Sequence, residues 1–342
     1  MRALEVIDPE FTDAHWQAYT ALLEQLHERF NSFHNHLTWE QKKKQVLSVY
    51  DSQLIQHRFI IIDDDGTVTG WFDFYIMNKG TSAELAFVGF DGDFEDIPLS
   101  FSQAMASALD GLLRHHSCPK MYIMSSNQRT SRIVREWGGS EVCLFNRYEL
   151  RRDEVDESML RQWVKIGERA NPELSMRYYV EIPDDILDRY MEIMRQCLSD
   201  MPRENDTSVE FLPTVEDYRK QSAWRKNNNR VQLSSALFDA KDQIIGFSQI
   251  VVSTDDPKNA FQMMTGLERS YRGKKLSKWL KAAVILKLGE DFPKNETITT
   301  DMRAVNAPIQ RLNELLGYKL LSEGNEFELA APALADWVAQ QS

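Results

Sequence analysis

Cysteine is scarce in this chain. Cys118, Cys143 and Cys197 are odd in number and scattered through 342 residues, which argues against a disulfide framework. None sits in a motif that would make it a nucleophile, so small buried hydrophobe is the expected role. Long apolar runs are missing as well. Nothing approaches the roughly twenty consecutive apolar residues of a membrane helix, and Met1-Arg2-Ala3-Leu4-Glu5-Val6 lacks the apolar core of a signal peptide. The expectation is a cytoplasmic protein with no membrane partner. Positive charge is in deficit: 40 Lys and Arg against 52 Asp and Glu leave a net charge of −12. A nucleic-acid partner needs a broad basic face, so it is not expected here, whereas a cationic acceptor is favoured. Two common phosphate motifs are absent, since no Gly-x-x-x-x-Gly-Lys-Ser/Thr occurs and the glycines of a dinucleotide fingerprint are missing. His34-Asn35-His36 and His115-His116 have ligand-like spacing, but no Cys or carboxylate cluster completes a metal site, and none is expected. Trp224 to Arg230 is basic and polar and reads as a solvated helix end.

What is present begins with ordinary globular composition, 42% hydrophobic and 27% charged, in a chain long enough for two cores. The most pointed segment is Thr265 to Lys281, where an apolar strand enters a basic, glycine-containing turn and continues as an amphipathic helix. The first NH groups of a helix lack intrahelical partners and carry the positive end of its dipole, so such a turn can seat a phosphate group. Arg272, Lys274, Lys275 and Lys278 add charge, Gly273 allows positive φ or close approach, and Ser277 is small. Leu276, Leu280, Ala283, Val284 and Leu288 then recur at the spacing of a helix packed on a sheet. About thirty residues on, Glu296 to Asp301 reads as a β-branched strand. Asn306 follows, then a short helix with Pro308 in its first turn and Gly317 at its end.

The two halves echo each other. Arg58 to Ile76 and Val231 to Val252 are both strand, turn, strand, with Gly70 and Gly246 in corresponding places. Asn127 and Gly138 recur at Asn306 and Gly317, each 179 residues later (306 − 127 and 317 − 138). A tandem duplication follows, cut near Arg152 because Asp153-Glu154-Val155-Asp156-Glu157 is a charged connector. Met201 to Ser208 is a second polar break. In the first half, the turn after Ala83 to Phe90 is acidic, with Asp91, Asp93, Glu95 and Asp96, and would repel a pyrophosphate.

Arg272-Gly273-Lys274-Lys275-Leu276-Ser277 resembles the acyl-coenzyme A pyrophosphate loop of the GNAT acyltransferase superfamily, and Asn306 to Tyr318 resembles its Asn…Leu-Gly-Phe segment. Lys275 and Ser277 stand where that loop usually carries glycine or another small residue. The resemblance implies an α/β fold with a mixed sheet, built as two tandem GNAT-like domains: 1–152, a degenerate non-catalytic copy, and 153–342, which binds acetyl-CoA. It implies a coenzyme contact at Leu267, Arg269, Arg272, Gly273, Lys274, Lys275, Leu276, Ser277 and Lys278, with Asn306 beside the pantetheine arm and Asn313 as a further contact. Many relatives place a carboxylate base on the central strand, Phe261 to Leu267 here, and a tyrosine acid where Asn313 stands. Thr265 and Gln262 occupy this strand instead, leaving Asp301, Thr265 and Asn313 as the catalytic candidates. Asp301 is open to a second reading, a strand-end turn cap. The implied activity is N-acetylation of a small soluble amine by direct attack on the thioester, in a monomer or homodimer. The alternatives are a non-catalytic acyl-CoA-binding or sensing protein and an aminoacyl-tRNA-dependent transferase, the latter disfavoured by the acidic balance.

Overall fold

The computed structural model describes residues 1–30, 38–51, 56–77, 82–90, 97–125, 127–202 and 212–341. The acidic turn at Asp91 to Asp96, the pair His34 and His36, and the polar break beyond Pro202 lie outside the described residues.

In chain order the elements are β1 (Arg2–Glu5), α1 (Asp13–Phe30), α2 (Trp39–Asp51), β2 (Gln56–Ile62), β3 (Val68–Met77), β4 (Ser82–Phe90), α3 (Leu99–His115), β5 (Lys120–Ser125), α4 (Gln128–Glu136) and β6 (Ser140–Arg151). There follow α5 (Glu157–Ala170), β7 (Ser175–Val180), α6 (Asp184–Ser199), α7 (Val215–Asn227), β8 (Arg230–Phe238), β9 (Ile244–Ser253) and β10 (Asn259–Leu267). The chain closes with α8 (Leu276–Asp291), β11 (Thr297–Arg303), α9 (Ala307–Leu316), β12 (Lys319–Ala330) and α10 (Ala331–Gln341).

Packing divides the chain into two compact units with the same strand plan. The N-terminal unit comprises the residues up to Leu144 together with those from Gly324 onward. Its strands β1, β2, β3 and β4 pair antiparallel in sequence, β4 pairs parallel with β5, and β5 pairs antiparallel with Asn325 to Ala330 of β12. The C-terminal unit, which includes Phe145 to Met201 and Leu212 to Glu323, repeats this: β7, β8, β9 and β10 antiparallel, β10 parallel with β11, and β11 antiparallel with Phe145 to Arg151 of β6.

The cut near Arg152 therefore does not coincide with the packing. Phe145 to Arg151 are the partners of Arg303 to Thr297, and Phe327, Leu329 and Leu334 at the end of the chain are fully buried in the N-terminal core beside Phe101, Leu109 and Ile123. A charged connector marks where backbone is exposed. It does not reveal which sheet a neighbouring strand joins.

Local chemistry explains the repeated elements. Both asparagines that anchored the repeat sit at helix N-caps: Asn127 Oδ1 accepts from the backbone NH of Arg129 and Thr130, while Asn306 makes no side-chain cap bond. Gly138 and Gly317 close the α4 and α9 segments at φ +92° and +93°, a conformation that disfavours a Cβ. In the β8–β9 turn, Asp239 Oδ1 accepts from the NH of Lys241 and Gln243.

In the C-terminal unit the sheet is covered on both faces. Leu233, Ile250, Val252, Ala260 and Ile298 pack with α5, α8 and α9 through Leu160, Ala282, Ile285, Leu288 and Leu312. Ala236, Phe238 and Phe247 pack with α6 and α7 through Leu187, Tyr190, Ile193 and Tyr218. Each large side chain buried this way contributes about 1.5–3 kcal/mol. The Trp224 to Arg230 segment is not a solvated helix end. Arg225 is buried, its guanidinium paired with Glu181 and lying 5.4 Å from the Tyr218 ring centroid. The helix and strand packed on it exclude water, and the carboxylate makes burial of the cation tolerable. None of the three cysteines, all among the described residues, forms a disulfide, and Cys118 and Cys143 are buried.

Candidate functional site

The C-terminal unit has a notch where its parallel strands separate. β10 and β11 are in register from Asn259–Thr297 to Phe261–Thr299 and no further, and the Thr300 hydroxyl then donates to the carbonyl of Gln262 at 3.0 Å. Beyond this point β10 continues to Leu267 and β11 to Arg303 without pairing with one another. Between Gln262 and Thr265 the register of β10 against β9 also shifts, a bulge that turns main-chain groups out of the ladder. An open sheet of this kind receives ligands at the carboxyl ends of its parallel strands. The N-terminal unit has the same divergence after Leu85–Ile123 and a register shift in β3–β4.

The basic turn lies directly after β10. A short turn of 3₁₀ helix, Arg269–Tyr271, leads to Gly273 at φ +78° and then to Lys275 as N-cap of α8 at φ 63°, ψ 13°. Successive left-handed and helical residues point their NH groups to one side, and an anion can be held there by main chain. Leu276 is buried and anchors the first turn of the helix. Ser277, the next residue, leaves that turn uncrowded. A lysine in the left-handed region carries a steric cost that glycine avoids. Lys275→Gly is therefore expected to raise stability by about 0.5–1 kcal/mol, after allowing for glycine's unfolded-state entropy, as read by thermal denaturation without ligand.

The cations around the turn are held in distinct ways. Arg269 and Arg272 both pair with Asp200 at the end of α6, and Arg272 Nε also donates to the Leu267 carbonyl at 3.0 Å. Lys274 Nζ lies 5.0 Å from the Tyr271 ring centroid and Lys278 Nζ 4.7 Å from that of Trp163. Hydrogen bonding from Arg269, with further help from Arg272, brings the Asp200 carboxyl down to about 2. Its folded value lies below the ordinary aspartate value near 3.9. The stability it contributes is present above pH ~4 and is lost as pH falls toward 2. Asp200→Asn should accordingly differ from the parent in urea stability by a constant amount between pH 5 and 8, a difference that disappears toward pH 2.

The three catalytic candidates are all engaged. Asp301 accepts both Nε and Nη2 of Arg147 at 2.7 Å, a bidentate pair across β11 and β6, so it serves neither as a turn cap nor as an unpaired carboxylate. Thr265 Oγ1 lies 2.8 Å from Ser248 Oγ. Asn313 is fully buried, accepts from Lys281 Nζ, and its Nδ2 is 3.4 Å from Met302 Sδ. The structure thus brings Leu267 through Lys278 together at the end of β10. It places Asn306 at the start of α9 and encloses Asn313 behind β11.

Asp200, Arg147, Trp163 and Lys281 are the participants that sequence reasoning passed over. The first three have no local motif. Lys281 had one available signal, a lysine on the buried helical face shared by Val284, Ile285 and Leu288.

No family model matches the sequence, and no curated protein matches it. Among solved structures, a tandem GNAT protein from the clavulanic acid biosynthesis pathway aligns over 96% of this chain and 98% of its own, with a TM-score of 0.72 and 14% identity. The chain has the tandem GNAT fold. A GCN5-related N-acetyltransferase from Sphaerobacter thermophilus aligns over 96% of both chains at TM-score 0.62 and 11% identity. The glucosamine N-acetyltransferase region of a fungal multi-domain GH3 β-N-acetylglucosaminidase covers 96% of this chain and 38% of that one, at TM-score 0.62 and 9% identity. Within the GNAT fold, the β10–β11 notch and the turn before α8 are adjacent by construction, because α8 connects those two strands. Among the described residues no helix is long and apolar enough to cross a membrane, and no group of three or more His, Cys, Asp or Glu is placed to hold a metal ion.

Proposed function

We propose that this protein is an acetyl-CoA-dependent N-acetyltransferase that acetylates a small soluble amine, with the coenzyme held by the C-terminal unit. The observation that carries the reading is the sequence of open strand notch, bulge and cation-rich helix start within one βαβ connection. The pyrophosphate would lie on the NH groups at Gly273 to Ser277, with Lys274, Lys275 and Lys278 around it. Arg269 and Arg272 would exchange some of their contact with Asp200 for phosphate. The pantetheine arm would enter the notch toward Asn306, where unpaired β10 backbone can bond its amides. The thioester would then sit at the bulge, its carbonyl polarised by a main-chain NH. The acceptor nitrogen attacks that carbonyl carbon, and the binding of both reactants supplies proximity.

In this reading the N-terminal unit is a copy without coenzyme chemistry. The protein works in the cytoplasm as a monomer or homodimer without nucleic-acid or membrane partners. A second reading, an acyl-CoA-binding protein that does not turn its ligand over, is favoured by one observation. Asp301, the carboxylate candidate, is already paired with Arg147, and Thr265 and Asn313 are bonded within the fold. The deciding experiment is a calorimetric titration with acetyl-CoA beside a thiol-release assay over polyamines, aminoglycosides, amino acids and short peptides. Binding with turnover supports the transferase and names its acceptor class; binding without turnover across the panel supports the second reading. Absence of binding at millimolar acetyl-CoA sinks both.

A further inference from the structure

The core of the C-terminal unit contains a lysine that its packing does not require. Lys281 lies in the second turn of α8 and is 2% exposed, among Ala282, Ala283 and Val284, which are fully buried. A buried ammonium group is ordinarily paired with a carboxylate, because desolvation costs several kcal/mol. Here the hydrogen-bond partner is the neutral amide of Asn313, and the Tyr318 ring centroid lies 5.2 Å from Nζ. Beside this amine stand Asn313 of α9, which in turn meets Met302 of β11, and Tyr318 just before β12, whose hydroxyl is buried with no partner among the described residues. Burial raises the Tyr318 hydroxyl well above its ordinary value, an effect that Arg152 only partly offsets, so it stays neutral.

The placement of this group is specific. Met302 is three residues past the last β10–β11 pair, on the stretch of β11 that forms one wall of the notch. Thr300, two residues before it on the same strand face, reaches Gln262 at the apex. Gln262 is itself buried, with Oε1 lacking any partner among the described residues. The wall of the notch is therefore backed by an amine that can exist in two protonation states. Asp301, by contrast, already shares both oxygens with Arg147.

Resting on the transferase reading above, we propose that Lys281 is a further catalytic residue, the proton donor to the coenzyme sulfur when the thioester breaks. As the acceptor nitrogen forms its bond to the acyl carbon, the carbon–sulfur bond breaks and its electron pair passes to sulfur. One proton moves from the Lys281 ammonium to that sulfur, releasing coenzyme A as the thiol and leaving a neutral amine bonded to Asn313. The proton shed by the acceptor nitrogen enters solvent, and Lys281 is reprotonated before the next turnover. Burial alone brings the Lys281 amine down to about 7, where it exchanges a proton readily near neutrality.

Coenzyme A itself is the probe, so no acceptor need be known. Its bound thiol is titrated by thiolate ultraviolet absorbance in the parent and in Lys281→Met, with acetyl-CoA binding measured in both. An ammonium beside the sulfur should make the bound thiol at least tenfold more acidic in the parent than in the variant, with acetyl-CoA affinity changed less than threefold. Equal titration curves overturn the proposal while leaving the transferase reading intact. Failure of both proteins to bind coenzyme A or acetyl-CoA overturns the transferase reading and this proposal together. Lys281→Gln, which retains a polar partner for Asn313, serves as the second variant if the methionine form does not fold, and the same two curves decide.

Discussion

Removing everything after Glu323 abolishes cooperative folding of the N-terminal unit. This is the largest effect expected of any change considered for this protein. Phe327, Leu329 and Leu334 are each fully buried in that unit's core, and Asn325 to Ala330 pair along the length of β5. Burial of the three side chains contributes about 5–9 kcal/mol, comparable with the whole stability of a domain, about 5–15 kcal/mol. Loss of the strand also leaves one edge of β5 without backbone partners. Hydrogen exchange on the truncated chain should show protection lost in β3, β4 and β5. Protection equal to the full chain would mean that the terminal strand is dispensable. A fragment ending at Arg152 should fail in the same way, and one beginning at Asp153 should lack the partner of β11. A gentler version is Leu334→Ala, expected to cost about 2–5 kcal/mol in urea denaturation.

Lys275→Glu weakens acetyl-CoA binding about thirtyfold. Replacing a positive by a negative charge beside a pyrophosphate changes the local charge by two units. Each unit is worth about 1 kcal/mol at ~4 Å in a water-like dielectric, and 1.4 kcal/mol corresponds to a factor of ten in affinity. The loss should shrink as salt is raised, since the turn is exposed and screening acts at this range. Lys275→Gly, which removes one unit of charge and relieves the left-handed strain, should bind about fivefold more weakly than the parent while melting at a higher temperature. Calorimetric titration of the three proteins at two salt concentrations separates charge from backbone geometry. A glutamate variant with parental affinity would show that the coenzyme lies elsewhere, and the transferase reading would lose the observation on which it rests.

The catalytic candidates show where reading from sequence stops. Thr265, Asp301 and Asn313 were named because of the strand or helix they occupy, and each does occupy it. Their partners come from other elements: Ser248 on β9, Arg147 on β6 and Lys281 on α8. These contacts join residues 17, 154 and 32 positions apart, and no local pattern records them. Asp200 illustrates the same limit. It is one acidic residue at the end of an acidic helix until the fold places it between Arg269 and Arg272.

Local elements and their repetition were legible because they follow from short-range chemistry. The Asp-containing turns, the glycines at positive φ and the apolar stripe of α8 are set by backbone sterics and hydrogen bonding within a few residues. These sufficed to recover the doubled plan, the strand–turn–helix order from β10 to α8 and the similarity of Arg272 to Ser277 to an acyl-coenzyme A loop. Tertiary structure alone decided which strand completes which sheet and where β10 parts from β11. It also decided that a lysine lies buried against Asn313. Each of these depends on pairing and burial between residues far apart in the chain, where the free energy comes from surfaces that meet only once the fold has formed.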